Sequence, residues 1–271
     1  MPVAHLNGTD LFYVEVGEGL PCLVMHGGLG FDHTGLHPWL DPLGDVMHLV
    51  YYDHRGNGRS GRPPSETITF NQLCADADGL REYLGFEKVA VLGYSFGGCI
   101  ALEYALRYPE HLSHLILLDT APTLDYGEEI EANARRMGAT PEQLEALDAS
   151  ADTDAEMWRL WKLIEPLYFH TFDEDLAERV LGKTIVSVEA SEAGDAILEG
   201  WDLTPRLGEI SAPTLILVGK DDFICPPSQA EIMHERIPSS KLVVFEKSGH
   251  LPYIEEPEAF FEAVKGWVER N

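Results

Sequence analysis

The amino-acid sequence predicts an α/β fold with a helical insert. Short apolar segments alternate with amphipathic segments in the first 121 residues, and the same alternation returns after residue 206. Continuous apolar strands separated by helices indicate a mostly parallel sheet that helices cover on both faces. Residues 122–206 instead show helical patterns and no clear buried strand.

Hydrophobic periodicity and turn signals predict the individual elements. An Asn7-Gly8 turn between two β-rich segments predicts a hairpin near the start of the chain. The further strands are predicted from short apolar runs at 22–25, 49–52, 88–92, 115–118, 213–218 and 241–245. The helices are predicted from spacing and start signals at 70–84, 98–106, 128–137, 141–149, 155–164, 175–181, 228–236 and 257–268.

This change in the hydrophobic pattern predicts that the chain forms two structural parts. We expect a core formed by residues 1–121 and 207–271, and a cap, or lid, formed by residues 122–206. A sheet that is interrupted by a helical insert and then completed is typical of a core with a lid.

The charge of the chain is strongly negative. The 271 residues include 46 acidic and 19 basic side chains, for a net charge of −27. Such a surface repels phosphate backbones and anionic lipids, so we expect neither a nucleic-acid nor a membrane partner. Between Pro122 and Pro205 lie 20 acidic and 6 basic side chains, which indicates a solvated cap surface or, alternatively, attraction of amine-bearing substrates.

Cysteine usage and the lengths of the apolar segments indicate the cellular compartment of the protein. Cys22, Cys74, Cys99 and Cys225 form no C-x-x-C pair, which favours buried free thiols over disulfides or a metal site. No signal-peptide pattern and no apolar run of 18 residues occurs. We therefore expect a cytoplasmic protein, and the sequence leaves its oligomeric state open.

The candidate nucleophile is Ser95. It is the centre of Gly93-Tyr94-Ser95-Phe96-Gly97, between an apolar strand pattern and a helix pattern. A serine on a strand-to-helix turn, with a glycine two residues away on each side, is the nucleophile-elbow pattern. The glycines are needed because side chains would collide across the tight turn.

A serine nucleophile needs a base, and the base needs an orienting acid. Of 11 histidines, His250 follows the last predicted strand, at the sheet edge that also presents Ser95. Asp222 follows the preceding strand and is the predicted acid. Asp221 beside it could instead cap a turn, and Asp119, at the end of another strand, is a rival for the acid.

The tetrahedral intermediate needs two hydrogen-bond donors. The N–H of Phe96 is one candidate, because it begins the helix after the serine. The loop His26-Gly27-Gly28-Leu29-Gly30 should supply the other, and we predict the N–H of Gly28, with Leu29 second. This chemistry needs no metal and no organic cofactor.

A second glycine pattern resembles a nucleotide-binding motif. Gly56-Asn57-Gly58-Arg59-Ser60-Gly61 fits G-x-G-x-x-G, but Arg62-Pro63-Pro64 follows where a dinucleotide fingerprint must open a helix. We therefore predict a tight structural loop and no NAD site.

Together these motifs resemble the α/β-hydrolase fold family over nearly the whole chain. The matching strings are H-G-G at 26–28, D-H-R-G-N-G-R-S at 53–60, G-Y-S-F-G-G at 93–98, V-G-K-D-D at 218–222 and G-H at 249–250. The resemblance implies a mostly parallel eight-stranded sheet and a Ser-His-Asp triad, and it is strongest to the branch of proline iminopeptidase-like enzymes and small-ester hydrolases. Leu29 stands where that branch usually has proline. Phe223 stands where some of its aminopeptidases have a glutamate that holds the substrate amine.

The favoured function is a serine hydrolase that cleaves a small ester, lactone or amide through an acyl-enzyme. An apolar pocket is expected to select a hydrophobic acyl or aryl group. The residues predicted to line this pocket are Leu29, Tyr94, Trp158, Trp161, Tyr168, Trp201, Phe223 and Leu251.

Two other functions stay open. The first is an aminopeptidase of the proline iminopeptidase type, in which a cap carboxylate such as Glu189, Glu192 or Glu199 holds the substrate amine. The second is a non-hydrolytic ligand-binding or receptor protein on the same fold, since the fold alone does not fix the reaction.

Overall fold

The computed structural model describes residues 2–271, which form an eight-stranded sheet flanked by helices. The strands are β1 (Val3–Leu6), β2 (Thr9–Val16), β3 (Leu20–Met25), β4 (Met47–Tyr52), β5 (Val89–Tyr94), β6 (Leu112–Leu118), β7 (Thr214–Gly219) and β8 (Ser240–Phe245). They lie in the order β1-β2-β4-β3-β5-β6-β7-β8. The β1–β2 and β2–β4 pairs are antiparallel and the others are parallel, so the predicted hairpin and the mostly parallel sheet are confirmed.

The α helices agree with most of the predicted ones. They are α1 (Phe70–Tyr83), α2 (Phe96–Arg107), α3 (Gly127–Arg136), α4 (Pro141–Leu147), α5 (Asp154–Ile164), α6 (Glu174–Leu181), α7 (Val188–Leu198), α8 (Pro227–Arg236), α9 (Pro252–Glu255) and α10 (Pro257–Val268). The sequence analysis missed α7 and α9. Helix α7 is rich in alanine and contains Gly194, so its apolar spacing is weak, although Ser187 caps it by accepting the N–H of Ala190.

The sheet separates two apolar layers. Leu23 and Val91 face one hydrophobic cluster, whereas their neighbours Val24 and Leu92 face the other. Alternate side chains of a strand point to opposite faces, and both faces are buried here, which explains why the central strands are continuously apolar.

Helices α3 to α7 form the segment between β6 and β7. The chain leaves and re-enters the sheet at one place, since Thr123 pairs with Asp202 and the N–H of Leu203 donates to the carbonyl of Pro122 at 2.8 Å. This geometry supports the predicted cap, 122–206, and its division from the core remains a prediction. Within residues 2–271 no helix is long and apolar enough to cross a membrane.

Candidate active site

Ser95 lies on a strained turn between β5 and α2, with φ of +53°. Its backbone is held on both sides. The N–H of Ser95 donates to the carbonyl of Leu118 at 3.0 Å, and its carbonyl accepts from the hydroxyl of Thr120 at 2.7 Å. A positive φ is costly for serine, and these bonds keep it there.

The two glycines of the pentapeptide are sterically required. A Cβ on Gly93 would lie 2.5 Å from the carbonyl oxygen of Gly97, and a Cβ on Gly97 would lie 2.2 Å from that of Met25. Neither backbone atom can swing away as the end of a side chain can. The turn therefore presses against the end of β3, which brings the serine to the loop that follows β3.

His250 is paired with Asp222. The distance from Nδ1 of His250 to Oδ2 of Asp222 is 2.7 Å, and both side chains are almost completely buried. The other carboxylate oxygen of Asp222 accepts the N–H groups of Ile224 and Cys225. A carboxylate only accepts, so Nδ1 of His250 donates, and Nε2 is left free to accept a proton.

The rival acids have other partners. Oδ1 of Asp119 accepts the N–H of Gly219 at 2.8 Å, and burial, together with the neighbouring Asp222, raises the pKa of Asp119 well above its ordinary value. A neutral acid would stabilise an imidazolium poorly. Asp221 contacts His170, with 2.6 Å between Oδ2 and Nδ1. The geometry thus favours Asp222 as the orienting acid.

The glycine loop after β3 lies against the serine. A Cβ on Gly27 would be 2.9 Å from Cβ of Ser95, and Gly28 has φ of +40°, which favours glycine. In the part of the chain that the structure describes, the N–H groups of Gly28 and Phe96 have no hydrogen-bond acceptor. Both are therefore available to a substrate oxygen.

The segment 53–61, which contains the G-x-G-x-x-G string, holds this loop in place. Oδ1 of Asn57 accepts the N–H of Gly30 at 2.6 Å, and Nε2 of His26 accepts the N–H of His54 at 3.1 Å. No helix begins in or after the string before a 3-10 turn at Ser65–Thr67. The loop fixes the backbone that faces Ser95, in agreement with the prediction of a structural loop.

Ser95 and His250 share one small cavity of about 110 Å³. Gly27 and Gly28 also border it, and aromatic and aliphatic side chains form most of the remaining wall. A nucleophile, a base with its acid, and unpaired N–H groups around one cavity are the parts that acyl transfer requires.

Comparison with known proteins agrees with this arrangement. Residues 21–257 match the family model for the alpha/beta hydrolase fold. The chain belongs to the α/β-hydrolase fold family. It is 32% identical over 278 residues to the proline iminopeptidase PfmaB from Pestalotiopsis fici, and the alignment covers 98% of each chain.

Two solved esterases are similar over almost their whole length. The esterase EaEST from Exiguobacterium antarcticum shares 26% identity, with 98% of each chain covered and a TM-score of 0.80. A thermophilic esterase from Thermogutta terrifontis shares 29% identity, with 99% of this chain and 96% of that chain covered and a TM-score of 0.74. The resemblance, the fold class and the hydrolase prediction are thereby confirmed at the level of the family.

Four of the predicted pocket residues of this hydrolase line the cavity: Tyr94, Trp161, Tyr168 and Leu251. The rings of Tyr94 and Tyr168 flank the imidazole of His250, with centroids 4.9 and 5.2 Å away. The backbone N–H of His250 also donates to the carbonyl of Tyr168 at 2.7 Å, so the segment predicted to form the cap helps to position the histidine.

The other four predicted pocket residues lie outside this cavity. Trp201 stacks on Phe70, with centroids 5.2 Å apart, and donates its indole N–H to Glu103. Trp158 lies under the ammonium group of Lys162 at 5.9 Å. These rings pack or cover the surface because helical spacing alone does not tell which face meets the cavity.

Leu29 and Phe223 are packing residues. Leu29 is buried against Gly194 of α7, where any Cβ would come within 2.7 Å of it. Phe223 is fully buried and its ring meets that of Tyr168 at 5.1 Å. The carboxylates proposed for an amine also lie elsewhere, since Glu189 and Glu192 border one separate cleft and Glu199 another.

The sequence analysis missed several lining residues, which are Phe31, Asp32, Leu36, Leu181 and Thr184. Phe31 and Asp32 follow directly after the glycine loop, and Leu36 lies four residues further on, so nearness to that loop was the available signal. Leu181 ends the predicted helix α6, and Thr184 lies in the segment between α6 and α7, which carries no motif. Asp32 is already paired, because its carboxylate accepts from Arg59, from Thr34 and from the N–H of Ile185.

Proposed function

We propose that this protein hydrolyses short, mainly apolar esters or lactones through an acyl-enzyme on Ser95. The observation that carries the proposal is the single cavity that Ser95 shares with His250, whose Nδ1 is hydrogen-bonded to Asp222. The esterases among the similar structures support the same reaction class.

The steps follow from the geometry. Nε2 of His250 takes the proton of Ser95 as Oγ attacks the carbonyl carbon, and Asp222 stabilises the imidazolium. The N–H groups of Phe96 and Gly28 bind the negative oxygen of the tetrahedral intermediate. His250 then protonates the leaving alcohol, activates a water molecule for attack on the acyl-enzyme and returns the proton to Ser95.

The size and lining of the cavity suggest the substrate. A volume of about 110 Å³ is small beside the 300 to 1,000 Å³ of ordinary ligand pockets. Tyr94, Trp161 and Leu251 give the wall an apolar character. We therefore propose acyl groups of a few carbon atoms in a small-molecule substrate.

An aminopeptidase is the second candidate, because the similar protein from Pestalotiopsis fici is named a proline iminopeptidase. A substrate ammonium group needs a carboxylate. Among the described residues, Asp32 is the one acidic side chain on the cavity wall besides the buried triad, and Arg59, Thr34 and Ile185 already donate to it. This favours the esterase.

The deciding experiment is a substrate panel. We expect release of p-nitrophenol from the acetate to butyrate esters, with rates that decline towards the octanoate ester. The Ser95→Ala variant should lose this activity completely. Efficient cleavage of prolyl-p-nitroanilide that is lost on acylation of the prolyl amine would instead assign an aminopeptidase. Lack of turnover and of labelling by a fluorophosphonate would favour a ligand-binding protein.

The cellular location also stays a proposal. The four cysteines are buried free thiols, as a reducing compartment favours, and this supports the predicted cytoplasmic location.

A further inference from the structure

Two polar atoms on the cap side of the cavity have no partner. They are Nε1 of Trp161, in α5, and Oγ1 of Thr184, in the segment between α6 and α7. Both atoms are buried, and both residues line the cavity that contains Ser95. A buried donor that lacks an acceptor is costly, and such groups in a native structure call for an explanation.

The surroundings of the Trp161 indole are mostly aromatic. The indole of Trp161 is flanked by the rings of Phe31 and Tyr168, with centroids 4.9 and 4.6 Å away. An aromatic face is at best a weak acceptor. The nearby carboxylate of Asp32 is occupied by Arg59 and by backbone N–H groups.

Trp201 shows what a satisfied indole looks like in the same molecule. Its Nε1 donates to the carboxylate of Glu103 at 3.0 Å. Among residues 2–271, Trp161 is the one tryptophan whose indole N–H is both buried and unpaired.

We propose that Trp161 and Thr184 form a polar subsite in the cap that binds an acceptor oxygen of the substrate, such as an ether, carbonyl or hydroxyl oxygen outside the reacting ester group. This inference rests on the proposed ester hydrolase function. An indole N–H only donates and a threonine hydroxyl can donate, so each of the two groups can bind an acceptor oxygen. The substrate class is then a short ester or lactone that carries a second oxygen function.

The chemistry of discrimination supports this class. A site built to form hydrogen bonds rejects an analogue that lacks the matching group more strongly than an apolar wall rejects an extra methylene. The rest of the wall is largely apolar, so these two atoms would provide most of the polar selectivity of the cap.

The test uses two isosteric pairs in which an oxygen replaces a methylene. p-Nitrophenyl methoxyacetate against p-nitrophenyl butyrate places the oxygen in the acyl group, and 2-methoxyethyl butyrate against n-butyl butyrate places it in the alcohol. The quantity measured is the ratio of kcat/KM within each pair, for the wild type, Trp161→Phe and Thr184→Val. Comparing ratios between variants cancels the intrinsic reactivity of each ester.

We expect the preference for the oxygen-bearing ester of at least one pair to fall roughly 3- to 10-fold in each variant, the loss typical of one hydrogen bond. Thr184→Ser keeps the hydroxyl and should restore the preference. Trp158→Phe makes the same exchange three residues earlier in α5, outside the cavity, and should leave the ratio unchanged. If Trp161→Phe does not fold, the Thr184 variants decide.

Unchanged ratios for both pairs in the folded Trp161 and Thr184 variants would overturn the subsite, as would an equal fall in Trp158→Phe. In either case hydrolysis that still depends on Ser95 would leave the proposed function intact. Ester hydrolysis that survives Ser95→Ala, or no hydrolysis of any of the four esters, would overturn the proposed function and the subsite with it.

Discussion

The two walls of the cavity are built in different ways. On the core wall, the reacting groups are held by short bonds, such as 2.7 Å between His250 and Asp222 and 3.0 Å from the N–H of Ser95 to Leu118. On the cap wall, the polar atoms of Trp161 and Thr184 have no partner. The difference suggests that the core fixes the reaction and that the cap leaves room for the substrate to complete its hydrogen bonds.

The largest effect should come from the core wall at Ser95. Ser95→Ala removes the proposed nucleophile, and we expect kcat for a short ester to fall at least about 10⁴-fold. Labelling by a fluorophosphonate should disappear, which mass spectrometry of the intact protein measures. Ser150→Ala, at an exposed serine between α4 and α5, is the control. Appreciable turnover by a folded Ser95→Ala enzyme would show that the chemistry lies elsewhere.

The second effect separates the two buried acids of the core wall. Asp222→Asn removes the charge that stabilises the imidazolium, and we expect kcat to fall about 10³- to 10⁴-fold. Asp119→Asn should change kcat by less than about 3-fold, because the imidazole of His250 is bonded to Asp222, whereas Asp119 accepts the N–H of Gly219, which an asparagine oxygen can also accept. Steady-state kinetics of both variants at one pH provide the measurement. A reversed order of the two effects would make Asp119 the orienting acid.

The core wall was the more predictable of the two. Ser95, Asp222 and His250 each follow a strand, and the carboxyl ends of parallel strands meet at one edge of a sheet, so local sequence patterns were enough to choose candidates. Sequence patterns alone do not decide between Asp119 and Asp222 as the acid. Asp119 also ends a strand, and only the three-dimensional arrangement gives it Gly219 as a hydrogen-bond partner.

The cap wall could not be predicted to the same depth. Trp158 and Trp161 lie on one helix, yet only Trp161 reaches the cavity, because the side of α5 that meets the core depends on tertiary packing. Thr184 lies in an irregular segment. Its position is fixed by a hydrogen bond from the N–H of the neighbouring Ile185 to Asp32, which is distant in sequence. No local sequence pattern predicts that contact.

A third prediction concerns the link between the walls. The carboxylate of Glu255 accepts the N–H of Gly249, next to the histidine, at 2.7 Å and the N–H of Thr171, in the cap, at 3.0 Å. Glu255→Gln leaves one acceptor oxygen for two donors, so the histidine loop should loosen and kcat/KM should fall roughly 3- to 10-fold. Ester kinetics measure this effect.

The matched change Glu258→Gln, at an exposed glutamate of α10, should have no effect on the kinetics. If Glu255→Gln is as active as Glu258→Gln, the contact does not position His250, and the two walls act independently.

The smallest predicted effect is on stability. It tests whether the folded protein raises the pKa of Asp119 in the core wall. Burial and the neighbouring Asp222 raise the pKa of Asp119 well above its ordinary value of 3.8. Above pH 3.8 the unfolded chain releases this proton while the folded chain keeps it, so the contribution of Asp119 to stability falls as the pH rises towards the raised pKa.

Asp119→Asn removes this dependence and can still accept the N–H of Gly219. The difference in the free energy of unfolding between the variant and the wild type, measured in urea, should therefore be smallest near pH 4 and should grow in favour of the variant as the pH rises towards the raised pKa of Asp119. Each pH unit over which the folded chain keeps this proton and the unfolded chain has lost it is worth about 1.4 kcal/mol. Asp125→Asn removes the same charge from an exposed site and serves as the control. A difference between Asp119→Asn and the wild type that stays constant with pH would mean that Asp119 is ionised in the folded protein, and that two negative charges are held side by side at the end of β6 and β7.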